Sequence, residues 1–173
     1  MKPHSYDLES NVKQTPSPCE EGQVQLILGS TSANRRLILE HIGWKHELMA
    51  PDIDEKSIRT EDNLDLPVTI AIAKAAAVMN KLLLAQHPNR CLIITSDQVT
   101  IFQDCVREKP ESREEAVKFL STYSCNSLRT VCGVVVTEYP SGIQRQGSDI
   151  ATVVWGSIHD DVVQRVVDKG IFE

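Results

Sequence analysis

Asp97 directly follows the run CLIITS (91–96), five of whose residues are apolar or β-branched. In an open α/β sheet, ligand crevices form beyond the carboxyl ends of such strands. A carboxylate there can hold a divalent cation or take a proton from water, although a turn aspartate also commonly satisfies local backbone. A second cluster precedes it in LILGSTSANRR (26–36). Ser30, Thr31 and Ser32 offer hydroxyls and backbone N–H groups, and Arg35 and Arg36 offer planar donor forks that match phosphate. Two cations in a first helical turn oppose the helix dipole, and an anion such as a polyphosphate at that terminus would offset the conflict. An N-cap serine followed by two solvated arginines is the plainer alternative. The segment is not a P-loop, because no GK[ST] follows the glycine.

Three more charges stand in suggestive settings. Glu55, in DIDE (52–55), can serve as a second metal or base carboxylate, or simply as part of a solvated acidic turn. Lys74 lies among Ala73, Ala75, Ala76 and Ala77, small residues that let a helix pack closely. It can snorkel to solvent or point into a site as a phosphate clamp. Lys109 precedes Pro110 and is therefore biased to an extended backbone, on the surface or against phosphate. The five histidines show no HExxH or other metal spacing. Trp44, Tyr123 and Trp155 are isolated along the chain, so no stacking platform for a nucleic-acid strand is expected.

These residues need elements to carry them. The run 25–28 reads as a buried strand, and the loop 29–32 leads into a helix with Ser32 as N-cap and Gly43 as its stop. A short extended piece is expected at 46–49. A long helix follows over 66–87, capped by Asp65 and carrying Pro67 in its first turn. A continuous strand at 91–95 should then give way to the Asp97 loop. A second extended pair, 99–102 and Val106, surrounds a turn at Gln103 and Asp104. Ser112 and Glu115 form a capping box that opens a helix to about Ser121. Residues 131–137 and 150–155 read as a hairpin about Pro140, Ser141 and Gly142, and Asp160 caps a last helix ended by Gly170. Buried strands mixed with amphipathic helices make the class α/β.

The bulk numbers fit this reading. A chain of 173 residues with 41% hydrophobic and 24% charged content suits one domain with a sizeable core. Its net charge of −6 argues against binding nucleic-acid polymers or acidic membranes, but not against a small phosphate ligand. No apolar run is expected to reach membrane-spanning length, and the first twenty residues lack a signal-peptide core. Five cysteines without a CxxC pair indicate reduced thiols in a cytoplasmic protein. Residues 1–22 are polar and read as a disordered leader.

Taken in order, GSTSANRR (29–36), PDIDE (51–55), AKA (73–75), TSDQV (95–99), EKP (108–110) and EEA (114–116) resemble the Maf family of nucleotide pyrophosphatases, within the inosine-triphosphate-pyrophosphatase-like folds. The resemblance implies a mixed twisted sheet flanked by helices, two-lobed with a cleft, over a domain at 23–173. It implies hydrolysis of nucleoside triphosphates between the α and β phosphates, to monophosphate and pyrophosphate, with Mg²⁺ or Mn²⁺. By the same resemblance, Asp97 looks like the catalytic acid/base and Glu55 matches another active-site charge; the chemistry of the two carboxylates makes them the expected metal-binding pair. Ser30 and Arg35 match the family's phosphate loop, and Lys74 and Lys109 match its other active-site charges; the loop's own hydroxyls and guanidinium groups add Ser32 and Arg36 as expected substrate contacts.

Gln98 and the Ser-Thr-Ser loop (30–32) resemble the family's 7-methyl-GTP-preferring group. Asn34 stands where Trp or Arg is usual, and it can hydrogen-bond a base edge without stacking or charge. Homodimers are usual in the family. Relative to the family pattern the domain is expected to be incomplete at its C-terminus. That expectation motivates an alternative, a catalytically inactive, truncated nucleotide-binding or interaction protein.

Overall fold

The computed structural model describes residues 24–170; the expected leader lies outside the described residues. Six strands form one mixed sheet: β1 (Gln25–Leu28), β2 (Glu47–Leu48), β3 (Cys91–Phe102), β4 (Cys105–Arg107), β5 (Ser127–Tyr139) and β6 (Gln144–Val154). Their order is β2-β1-β3-β5-β6, with β4 paired to the far end of β3. β1 lies parallel to β2 and β3, whereas β5 runs antiparallel to both β3 and β6. Four helices join them: α1 (Ala33–His41), α2 (Leu66–Leu84), α3 (Arg113–Tyr123) and α4 (Asp160–Asp168).

Alternation along the strands divides the core in two. Ile27, Cys91 and Ile93 join Val78 and Leu82 of α2 on one face, while Leu26 and Leu28 join Leu39 of α1 on the other. A third cluster lies at the far end of the sheet, where Phe102 and Leu128 meet Tyr123, with Phe119, Leu120 and Ile158 around them. Tyr123 also stacks on Trp155, with ring centroids 6.3 Å apart, so two aromatics that are isolated in sequence are partners in space.

Local signals account for most element ends. Gly43 takes φ +77° just after α1, and Trp44 N–H closes back on Leu39 O at 2.9 Å. Ser112 Oγ accepts from Glu115 N–H at 3.1 Å and starts α3. Glu115 returns its carboxylate to Glu111 N–H rather than to Ser112, so the box is displaced by one residue. Gln103 and Asp104, both at positive φ, make the tight β3–β4 turn. The N-cap of α4 is His159, not Asp160; Asp160 falls in the first turn.

Two expectations need correction. Residues 91–102 are one uninterrupted strand, so Asp97 lies within β3, not in a loop beyond it. The polar stretch 95–98 stays in strand because β5 pairs with it throughout, Asp97 opposite Gly133. α2 is 19 residues long with mean hydropathy 1.5, and by length and composition alone it reaches membrane-spanning size. Its apolar face is accounted for by the sheet: Ile70, Ala71, Ala75, Val78 and Leu82 are buried.

Candidate active site

α2 carries the first half of the site. It descends across β3 with Ala71 beside Thr95, whose hydroxyl donates to Ala71 O at 2.7 Å. Helical side chains tilt toward the N-terminus, so Lys74, one turn later, reaches back up the strand. Its ammonium lies 2.8 Å from Asp97 Oδ1 and 2.8 Å from Glu55 Oε2, and also reaches Ser96 O at 3.5 Å. Lys74 is 3% exposed. A lysine so deeply buried requires such partners, and the sheet supplies one while the loop supplies the other.

Glycine permits this approach. A Cβ on Gly133 would stand 2.5 Å from Val68 N and 2.6 Å from Pro67 C, so only glycine lets the first turn of α2 rest on β5 beside Asp97. Gly133 belongs to none of the sequence motifs; its one signal along the chain is that of an isolated glycine inside a valine-rich strand. At Gly29 a Cβ would meet Thr95 Cγ2 at 2.6 Å. Gly29 N–H also donates to Ile94 O at 2.8 Å, which pins the serine loop beside the upper part of β3.

In that loop Ser30 is 6% exposed and accepts from Ser32 N–H at 3.1 Å and from an Arg35 guanidinium nitrogen at 3.3 Å. Ser32 caps α1 by position, without a side-chain cap bond of its own. The open end of α1 therefore presents backbone N–H groups beside a positioned guanidinium. Arg35 is also close enough to act electrostatically on Asp97.

Burial raises the Asp97 carboxyl above its ordinary value. The hydrogen bond and charge of Lys74 and the charge of Arg35 pull it down, and Glu55 pushes it up. Desolvation dominates, so this carboxylate holds a proton more readily than a surface aspartate does.

Glu55 opens a single 3-10 turn, Glu55–Ser57, in the strap that crosses from β2 to α2. Lys81 anchors the start of this strap by donating to Ala50 O at 2.8 Å and pairing with Asp52, which sits at φ +51°. Lys56 and Arg59 tie its later part to Glu111 and Glu108. No motif marks Lys81, Lys56 or Arg59, because their partners are fixed only by the fold.

The structure thus gathers Ser30, Ser32 and Arg35 in one loop, and Glu55, Lys74 and Asp97 in one ion cluster. It does not bring the remaining candidates into contact with that cluster. Arg36 pairs with Glu40 along the helix surface at 3.5 Å, and Asn34 is exposed at the start of α1. Gln98 is exposed and, by strand alternation, points to the face opposite Asp97. Lys109 is exposed and lines a cavity with Arg59, Asn63, Glu108 and Glu111.

Comparison with known proteins identifies the family of the chain. The family model described as Maf-like protein matches residues 25–172. The 7-methyl-GTP pyrophosphatase of Dictyostelium discoideum is 34% identical over 147 residues, covering 84% of this chain and 75% of that protein. The dTTP/UTP pyrophosphatase of Desulforamulus reducens is 30% identical over 145 residues, covering 84% and 73%. Among solved structures, the Staphylococcus aureus Ham1 protein overlays 79% of this chain, and 72% of its own, at TM-score 0.46 and 13% identity. With nearly every described residue inside the match, this chain belongs to the Maf-like protein family.

Proposed function

We propose that this chain hydrolyses nucleoside triphosphates to the monophosphate and pyrophosphate, with 7-methyl-GTP the first substrate to try. Family membership and the names of the relatives support the reaction class. The observation that carries it to these residues is the buried Lys74 ammonium held between Asp97 and Glu55, next to the Ser30–Arg35 loop. The same observation weighs against an inert binding module, since phosphate binding alone gives no reason to bury a carboxylate with a raised pKa.

The chain's own groups suffice for most of the work. Arg35, the Ser30 hydroxyl and the N-terminus of α1 bind and orient the polyphosphate. Lys74 occupies Asp97 Oδ1 and leaves Oδ2 for a water molecule. That water attacks the α-phosphorus, Asp97 takes its proton, and the bond from the α-phosphorus to the α–β bridging oxygen breaks, releasing pyrophosphate. Positioning and charge neutralisation supply the acceleration.

Among the described residues no group of three or more His, Cys, Asp or Glu could hold a metal. Asp97 and Glu55 converge on the Lys74 ammonium, and their remaining oxygens, completed by substrate phosphate, suit the oxygen-seeking Mg²⁺ or Mn²⁺ and would hold such an ion beside it. When bound, it would neutralise phosphate charge and polarise the phosphoryl oxygens.

The test is pyrophosphate release from 7-methyl-GTP, GTP, dTTP, UTP and CTP with Mg²⁺ or Mn²⁺, beside Asp97→Asn. The variant should lose roughly a hundredfold or more in kcat. Folded wild-type protein that releases no more pyrophosphate than the variant would overturn the proposal.

A further inference from the structure

One face of the sheet is open between two helices. Leu92 and Ile94 of β3 pack with Leu39 of α1, and further along the same face Phe102 and Leu128 pack with Tyr123 of α3. Between these clusters, Gln98, Cys132 and Asp149 form a row at paired positions of β3, β5 and β6. Val134 and Gly147 form the outer part of the next row, toward α1. Gln98 and Asp149 are exposed, and Val134 is 39% exposed. A Cβ on Gly147 would meet no atom of the described residues within 4 Å. A flat apolar ledge thus lies beside an exposed carboxylate, and among the described residues Asp149 is in no ion pair.

The ion cluster opens onto this face. β5 occupies one edge of β3, while β1 leaves the other edge after Ile94 and β4 joins it only at Thr100. Among the described residues no strand pairs with that edge over 95–99, so a ligand held there reaches both faces of β3. The α2 face is closed beside Asp97, because Gly133 lies against the backbone of Pro67 and Val68. A nucleoside attached to the α-phosphate therefore lies on the open face. Two strand spacings, about 10 Å, separate Gln98 from Asp149, which is of the order of the reach from an α-phosphate to the far edge of a purine. Arg35, Asp97 and Asp149 are all close enough to the Cys132 thiol to act on it electrostatically.

We propose that Asp149 selects the base: a guanine ring lies on Val134 and Gly147 and donates its N1–H and 2-amino group to the Asp149 carboxylate. The assignment rests on the reaction proposed above and narrows its substrates to guanine nucleotides. Of the common bases only guanine presents two adjacent donors on its pairing edge, and hydrogen bonds to a carboxylate are about twice as strong as neutral ones. Uracil and thymine flank their single donor with carbonyl oxygens, which the carboxylate repels. Methylation at N7 adds positive charge to the ring, strengthens both donors and draws the ring to a carboxylate that has no cation of its own.

Calorimetric titration of the full chain with 7-methyl-GMP, GMP and UMP, in Mg²⁺ buffer, tests this without turnover. Wild type should bind 7-methyl-GMP most tightly and UMP most weakly. Asp149→Asn keeps the shape and removes the charge. It should weaken 7-methyl-GMP roughly tenfold or more, GMP less, and UMP by less than about twofold. Gly147→Val fills the ledge from open space, so it should weaken both guanine nucleotides while the melting temperature holds. Pyrophosphate release from the triphosphates is read separately. Binding that depends on Asp149, with no pyrophosphate from any triphosphate, would defeat the reaction and leave the base assignment standing. Release with the same preference among bases in wild type and Asp149→Asn would overturn the assignment and leave the reaction standing. The assignment also fails if wild type binds none of the three, if Asp149→Asn weakens all three equally, or if Gly147→Val binds guanine nucleotides like wild type.

Discussion

Replacing Lys74 by Met removes the cation that Asp97 and Glu55 share and keeps a side chain of similar reach. The two carboxylates then fare differently. Glu55, with its side chain 46% exposed, turns to water at little cost. Asp97, 11% exposed, stays in the sheet as a buried charge without its partner. Breaking a buried pair from one side costs about 3–5 kcal/mol. Protonation sets a ceiling, because Asp97 can escape by taking a proton. Starting from its ordinary value of 3.8, that costs about 1.4 kcal/mol per pH unit, or roughly 4 kcal/mol at pH 7.

The sign follows from linkage. The folded variant holds a proton that the unfolded chain has already released, so its stability falls as pH rises through the raised folded value. Wild type slopes the same way less steeply, because Lys74 pulls the Asp97 value down. Urea unfolding of both proteins between about pH 5 and pH 7 should therefore show a deficit that grows with pH, reaching about 2–4 kcal/mol. Adding Asp97→Asn to the variant should recover most of the loss. A deficit that is flat with pH, or below about 0.5 kcal/mol throughout, would refute the reasoning.

Gly133→Ala places a methyl group against the backbone of Pro67 and Val68, which cannot yield without moving α2. Thermal unfolding should show a loss of about 2–3 kcal/mol, and kcat should fall because Lys74 moves with the helix; an unchanged melting curve removes Gly133 from the argument. Arg35→Lys keeps the charge and loses the fork, so KM should rise about tenfold in steady-state assays. Arg36→Lys, on the helix surface with Glu40, should change it by less than about twofold. Lys81→Met frees Ala50 and Asp52 at the root of the strap that carries Glu55. It should lower kcat while urea stability changes by less than about 1 kcal/mol, with Lys81→Arg restoring part of the rate. Equal kcat in Lys81→Met and wild type would show that the strap holds Glu55 without this anchor.

Much of the fold was legible along the chain, because its signals are local. Proline in the first turn of α2, the Ser112–Glu115 spacing, the glycine after α1 and the turn at Gln103 and Asp104 each act within a few residues. The serine–arginine loop was legible for the same reason, since hydroxyls, guanidinium and helix terminus are neighbours in sequence. β3 was not. The polar residues 95–98 look like a loop, and only the ladder to β5 and the ammonium of Lys74 let them lie in a strand.

By itself, then, the sequence determined the class of fold, most of the elements and the residue types able to handle phosphate. The tertiary structure decided which of those residues form one cluster. Asp97 and Lys74 are 23 residues apart, and nothing in either segment specifies the other. They meet because Gly133 lets α2 settle on β5, Thr95 fixes the helix against β3, and the strap brings Glu55 to the remaining side of the ammonium. Periodicity reports which face of an element is buried. Which faces meet, and which charge is left to neutralise another, depends on packing summed over three elements at once.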